Sequence, residues 1–411
     1  MHTSHNIHKH VLFFHSFNPE VMEYYVYKIL SRVATSMANL AIPLFLFIEL
    51  GYSVVEVILF YVILQLFFVL VAPFSSKIIE RIGVKHAIAL HIPFMAFFWF
   101  GLRFLSPGFW PNLGLVFVLL FFRSVPRVCR EPAENFFIAR NIMHKDDHGS
   151  TMANIRIVFI LAGVLAPVAT AIIAFFFGFD LVFNAAILLL FLSAVPLFLT
   201  HDKHFKAKFS RKKLFWFSFR GMTKNFWLAE FGRIIPDVAM WFLWPVFLFI
   251  ALSNLLDVGL LLTLSAVIAI AFSHYLGKKL DKKSLHKFFN GTVVMSAVLF
   301  MLRAISLNPL VIAVVNILNT ITGPALLVPY EKYAFDFMTS CDNLLEAVCA
   351  RSIIIEYAYF AAILIVLGVF SAASMFFEQT SAFPFIAVFV ISGILMLLMS
   401  RIGYLPKKAN C

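Results

Sequence analysis

Long apolar runs, broken by short polar connectors, dominate the chain. Twelve such runs stand at about 26–49, 52–73, 87–105, 112–137, 152–175, 181–199, 226–251, 255–276, 288–305, 309–329, 345–370 and 383–402. Each is close to the roughly 20 apolar residues that an α-helix needs to cross a bilayer. A β-barrel would alternate apolar and polar residues in segments of about 10. These runs are continuous, so they predict membrane-crossing helices. One connector differs from the rest. The stretch "HDKHFKAKFSRKKLFWFSFRGMTK" from His201 to Lys224 carries eight Lys and Arg and divides the runs into two groups of six. The expected organisation is a leader (1–25), a first six-helix bundle (26–199), a basic linker (200–225), a second six-helix bundle (226–402) and a short tail (403–411).

The two groups repeat one another. "IPLFLFIEL" ends at Leu50 and "WPVFLFIAL" at Leu252, an offset of 202. Beyond that match "YSVVEV" (52–57) is echoed by "SNLLDV" (253–258), and "SSKIIERIGVKH" (75–86) by "GKKLDKKSLHK" (277–287). Arg103 corresponds to Arg303, "PAENFF" (132–137) to "PYEKYA" (329–334), and Arg156 to Arg351, where the offset has drifted only to 195. The fold class expected is therefore an all-α polytopic membrane protein, with twelve transmembrane helices arranged as two pseudo-symmetric six-helix bundles. Internal repeats of this kind build many secondary transporters, with the binding site at the midplane between the repeats.

Charge sets the expected orientation. Connectors after the odd-numbered runs lack Lys and Arg, whereas those after the second and eighth runs, the linker and the tail are rich in them. Positive charge marks the cytoplasmic side, so both termini are expected in the cytoplasm of a cell membrane, plasma or inner. The same asymmetry accounts for the net charge of +12 through attraction to anionic headgroups, and no nucleic-acid partner is implied. Composition agrees: 62% of residues are hydrophobic and 13% charged, against about half and a quarter in soluble domains.

Enzyme chemistry finds little support. The chain contains no H-E-x-x-H, G-x-S-x-G or GxxxxGK[ST] pattern. No cofactor, metal site or obligate protein partner is expected. Cys129, Cys341, Cys349 and Cys411 show no metal-ligand spacing and read as reduced thiols without a shared role. Five histidines among the first 23 residues read as a solvated leader.

The connector after the second run carries a motif. Glu80, Arg81, Gly83 and Lys85 match a G-x-x-x-[DE]-R-x-G-[RK]-[RK] signature, with Ser76 where Gly is usual and Val84 in place of one base. Gly277, Asp281 and Lys282 match it at the corresponding point of the second repeat, where Ser284 replaces the second Gly. With six plus six helices and a basic linker, the chain resembles the major facilitator superfamily of secondary transporters. The resemblance implies that Glu80, Arg81, Gly83, Lys85, Gly277, Asp281 and Lys282 gate the conformational cycle. Two further family patterns are incomplete: the fourth run has Arg123 without the usual Gln-Gly, and the fifth has Gly163 and Pro167 with Ala166 between.

Charge inside a membrane is costly and usually faces a cavity or a partner. Lys28, Arg32, Thr35 and Asn39 share one helical face of the first run, and Arg123, Arg127, Glu131 and Glu134 one face of the fourth. Glu230, Arg233 and Asp237 lie in the seventh run, Asn316 and Asn319 in the tenth, and Glu356 in the eleventh. The candidates for substrate binding and coupling are Arg32, Asn39, Arg123, Arg127, Glu230, Arg233, Asp237, Asn316, Asn319 and Glu356. Planar guanidinium groups suit carboxylate or phosphate. A desolvated Asp237 or Glu356 suits proton exchange. The expected function is alternating-access transport of a small solute, proton-coupled, with an anionic or polar metabolite as cargo. Export of lipophilic compounds by proton antiport is the alternative within the class, and a non-transporting membrane sensor is the alternative outside it.

Overall fold

The computed structural model describes residues 19–141, 162–199, 210–277, 285–305, 308–377 and 381–404. Among the described residues, ten helices are long and apolar enough to cross a membrane, and two further apolar helices are shorter. In chain order they are α1 (Met22–Glu49), α2 (Val54–Ile82), α3 (Val84–Leu102), α4 (Trp110–Arg140), α5 (Ala166–Phe177), α6 (Phe179–Phe198), α7 (Lys224–Leu252), α8 (Leu255–Gly277), α9 (Lys287–Ala304), α10 (Pro309–Thr339), α11 (Leu344–Ala373) and α12 (Ala382–Tyr404). A separate linker helix spans Arg211–Arg220.

Local chemistry sets the helix ends. Ser53 Oγ accepts from the Glu56 amide at 3.3 Å, and the Glu56 carboxylate accepts from the Ser53 amide at 2.8 Å. This reciprocal capping box satisfies two amides that the first turn of α2 leaves unpaired. Gly83, at φ +89°, turns α2 into α3, a left-handed conformation that costs a residue with a Cβ. Thr223 and Asn343 accept from the Phe226 and Glu346 amides and so open α7 and α11.

Some helices outrun their apolar segments. α2 continues through "SSKIIERI" to Ile82, where a charged loop was expected. The stretch is amphipathic, burying Ser75, Ser76 and Ile79 while Arg81 stays exposed. α10 continues to Thr339, ten residues beyond its expected end at 329. The linker, expected as a connector, forms a helix whose Phe215 and Phe219 rings pack against Tyr357 of α11, 6.0 and 5.2 Å between centroids. The first part of the expected fifth span lies outside the described residues. One cysteine expectation fails: Cys129 and Cys349 are free and buried, but Cys341 is disulfide-bonded.

Within each half, neighbouring helices bury apolar faces: α1 on α6, α3 on α4, α7 on α11 and α12, and α9 on α10 and α12. The halves meet along two seams, α2 on α11 and α5 on α8. Between lipid-embedded helices there is no hydrophobic driving force, so close approach through small residues does much of the work. The α5–α8 seam shows this at Gly259. A Cβ there would stand 2.4 Å from Ala171 Cβ and 2.9 Å from the Pro167 carbonyl oxygen. The Thr263 hydroxyl on the same face accepts from the Val168 amide at 3.1 Å.

Gly259→Val should therefore lower thermal stability in detergent by the equivalent of about 1–3 kcal/mol, the usual cost of overpacking. Gly291→Ala, at a helical glycine with nothing within 4 Å, should stay within about 0.5 kcal/mol of the parent, as surface substitutions do.

Candidate functional site

Buried charge falls into three clusters and one cavity. The first cluster lies in the first half. Glu134 of α4 accepts from Lys28 at 2.5 Å and from the Tyr27 hydroxyl at 2.8 Å, both on α1. Arg130, one turn back on α4, stands 3.7 Å away. Lys85 at the start of α3 pairs with Glu23 of α1 at 3.0 Å, with both side chains buried.

The second cluster lies in the second half. Glu230 of α7 is fully buried and accepts from Arg351 of α11 at 2.7 Å and from Arg233 at 2.9 Å. Arg233 also donates to Asp237 at 3.1 Å, and Arg351 to Glu331 of α10 at 2.8 Å. Steps of three and four residues place Glu230, Arg233 and Asp237 on one face of α7. The clusters occupy corresponding places in the repeat. Lys28 stands where Glu230 does at the 202 offset, and Glu134 where Glu331 does in the "PAENFF"/"PYEKYA" match. Arg156, the counterpart of Arg351, lies outside the described residues.

The third cluster joins the halves. Glu356 of α11 is buried and accepts from the Gln65 amide of α2 at 2.5 Å, and Arg127 of α4 approaches it at 4.0 Å. Arg127 also pairs with Glu131 at 3.2 Å. Arg123, one turn away, lies over the rings of Phe68 and Phe98, each 5.8 Å from centroid to guanidinium.

The cavity has a volume of about 360 Å³, within the range of small-molecule sites. Both halves line it: Arg32, Ser36 and Gly163 from the first, and Arg233, Asp237 and Asn319 among others from the second. Of the sequence candidates, Arg32, Arg233, Asp237 and Asn319 thus face this space. Glu230 lies behind Arg233. Asn316 is held away, accepting from the Trp244 indole at 3.0 Å and donating to Ser265 at 2.7 Å. Arg123, Arg127 and Glu356 belong to the α2–α4–α11 junction, and Asn39 is half-buried on α1. Of the gating candidates, Glu80 pairs with Lys77 at 2.7 Å, Arg81 is exposed, Gly83 makes the turn and Lys85 holds Glu23. Gly277 ends α8, and Asp281 and Lys282 lie outside the described residues.

Sequence reasoning missed the wall around Arg303. It placed this arginine at a helix end, yet the side chain is buried, lines the cavity and lies over Trp244 at 4.3 Å and Phe300 at 4.8 Å. Pro236 precedes a π-helical stretch of α7 at Ala239–Leu243, and Met240 in that stretch meets Arg303. Such local widening is common near functional sites. The wall has no sequence period, because it combines residues of α7 and α9. No group of three or more His, Cys, Asp or Glu that could hold a metal ion occurs among the described residues.

Glu230→Met should leave two buried guanidinium groups facing each other. Removing one partner of a buried ion pair costs roughly 3–5 kcal/mol, so thermal unfolding in detergent should occur well below the parent. Arg103→Met, which breaks a partly exposed pair with Asp180, should cost much less.

A family model described as Major Facilitator Superfamily matches residues 25–338. No curated protein matches the chain by sequence. Among solved structures, the chain is similar to the Escherichia coli fucose:proton symporter, with a TM-score of 0.59 and 14% identity over 93% of this chain and 98% of that one. It is also similar to a bacterial homologue of the iron transporter ferroportin in an outward-facing state, with a TM-score of 0.64 and 14% identity over the same shares. At such identity these two structures speak to the fold.

Proposed function

Since the chain belongs to the major facilitator superfamily, a family of membrane transporters, we propose that it moves a small anionic or polar solute by alternating access, driven by protons. The observation that carries this reading is the cavity walled by both halves, with Arg32 on one side and Arg233 and Asp237 on the other. A solute gripped by both walls gains or loses contacts as the halves rock, so its binding free energy is coupled to the conformational equilibrium.

The charges support a division of labour. Arg233 is anchored by Glu230, which Arg351 also holds, so the α7 face stays preorganised. Asp237 is the outer member of this chain, with its side chain 42% exposed. It can leave Arg233 without stranding a buried cation, and that suits a carboxylate which exchanges a proton each cycle. Glu356 is a second carrier at the junction of the halves. Its partners Gln65 and Arg127 lie on the opposite half, so a change in its charge acts on the seam that must open and close. Lys77–Glu80 and Lys85–Glu23 lie at the linker end, the side that Lys and Arg mark as cytoplasmic, and we assign them to gating. Export of lipophilic cations is less well supported, because three arginines and a single carboxylate line the cavity.

A thermal-stability panel of organic anions, sugar phosphates, neutral sugars and lipophilic cations identifies the cargo class. A ligand at a hundredfold excess over its dissociation constant should stabilise the protein by about 2.7 kcal/mol. With a stabilising solute loaded into proteoliposomes, Asp237→Asn should abolish uptake driven by a proton gradient and spare solute exchange. Intact driven uptake would remove Asp237 from the proton path. Glu80→Ala should slow exchange with little change in affinity, and unchanged turnover would remove Glu80 from the gate.

A further inference from the structure

The repeat provides an internal comparison for Arg303. Its counterpart Arg103, in the first half, is fully accounted for. Asp180 of α6 accepts from it at 2.9 and 3.2 Å, and Asn184 accepts at 3.1 Å. No such carboxylate or amide pairs with Arg303 among the described residues. Arg303 is 2% exposed, its Nε has no hydrogen-bond partner, and no carboxylate pairs with it among the described residues. Its only partners there are the faces of Trp244 and Phe300 and the sulfur of Met240. Aromatic faces and a thioether offset part of the cost of burying a cation, but they neither neutralise it nor occupy its donors. A guanidinium carries five N–H donors.

The orientation of that group matters as much as its isolation. Arg303 lines the cavity beside the π-helical stretch of α7 that presents Met240. Ser296, one side of the same space, has a buried hydroxyl without a partner. Met396 and Met399 line it from α12. The cavity thus joins an unneutralised guanidinium and an unpaired hydroxyl to an apolar, deformable wall.

We infer that Arg303 and Ser296 form the anion-binding end of the transport cavity, and that its ligand is a small organic anion whose carboxylate or phosphate meets Arg303 while its apolar body lies against Met240, Phe300 and the α12 methionines. This inference rests on the transporter reading above and narrows its cargo. The carboxylate that pairs with Arg103 in the first half is supplied by the protein. In the second half it is supplied by the ligand. An acceptor brought to Arg303 can form two parallel charge-assisted hydrogen bonds. The wall then selects against fully hydrated inorganic anions, which would leave the methionine and phenylalanine contacts unused. Asn316 steadies the arrangement, because it holds the Trp244 indole that stacks on Arg303.

Equilibrium binding in detergent tests this without a proton gradient or turnover, so its outcome is separate from that of the transport assay. The probes are benzoate, phenyl phosphate, benzyl alcohol and sulfate, titrated into the full-length protein and read by tryptophan fluorescence and thermal shift. Benzoate or phenyl phosphate should saturate, and whichever binds tighter identifies the headgroup. Benzyl alcohol and sulfate should bind at least tenfold more weakly. A charge-assisted hydrogen bond contributes enough for its loss to weaken binding by about tenfold or more, so Arg303→Gln should show at least that loss and Arg103→Gln none. Met240→Glu places a carboxylate at the residue Arg303 already touches. It should abolish anion binding in a protein that still elutes as a single species. Anion binding unchanged in both Arg303→Gln and Met240→Glu would overturn the inference. So would an absence of saturable binding of either organic anion to the parent protein.

Discussion

A charge carried into a lipid-embedded helix bundle has no water to turn to, and that constraint organises this molecule. Transfer of an isolated ion into a low-dielectric interior costs far more than a domain's whole stability, so each buried carboxylate or guanidinium must meet a partner or a solvated space. Glu230 shows the strict form of the rule. It is fully buried and held by Arg233 and Arg351. Through them it ties α7 to α11 and, by way of Glu331, to α10. In the first half Glu134 does the same for α1 and α4. These clusters tie neighbouring helices of each half to one another. Rigid halves are what a rocking transport mechanism requires, since a soft bundle would dissipate the motion internally.

Contacts between the halves have a different character. The α5–α8 seam rests on close backbone approach at Gly259 and a hydrogen bond that the Thr263 hydroxyl accepts from the Val168 amide. At the α2–α11 seam a carboxylate, Glu356, faces an amide and a more distant guanidinium. Among the described residues, the ion pair printed across these seams, Arg127 with Glu356 at 4.0 Å, is longer than those inside the halves. The symmetric scaffold also carries an asymmetric site: Arg103 is paired at the rim while Arg303 is turned into the cavity.

Much of the scaffold was legible in the chain because lipid imposes a simple code. Continuous apolar runs located α8 and α11 to within about three residues, consistent with the usual uncertainty of helix ends. The continuation of α2 through "SSKIIERI" was hidden, since its charges look like a loop until one face is seen to be buried. Ion pairing was legible where candidates shared one helix face: Glu230, Arg233 and Asp237 stand at steps of three and four and form one chain of ion pairs. What could not be read was rotation between helices. Arg123 and Arg127 share a stripe, but whether the stripe faces a cavity or the α2–α11 seam depends on packing. Arg303 was obscured in another way. At the end of an apolar run it looks like a residue reaching for water. Its burial follows from where α9 stops, against Trp244 inside the bundle.

The central claim is that two rigid halves rock about a shared cavity. The most direct measurement is a pair of spin-label distances, one on each side of the bundle. Trp110 and Leu310 are exposed at corresponding places on the side remote from the linker, one in each half. Arg81 and Asp342 are exposed on the linker side, again one in each half. Double electron–electron resonance in nanodiscs, with and without a stabilising anion and at two pH values, should show both distances shifting in opposite senses, one side closing as the other opens. Two distances that stay fixed under every condition, or that lengthen together, would contradict the account.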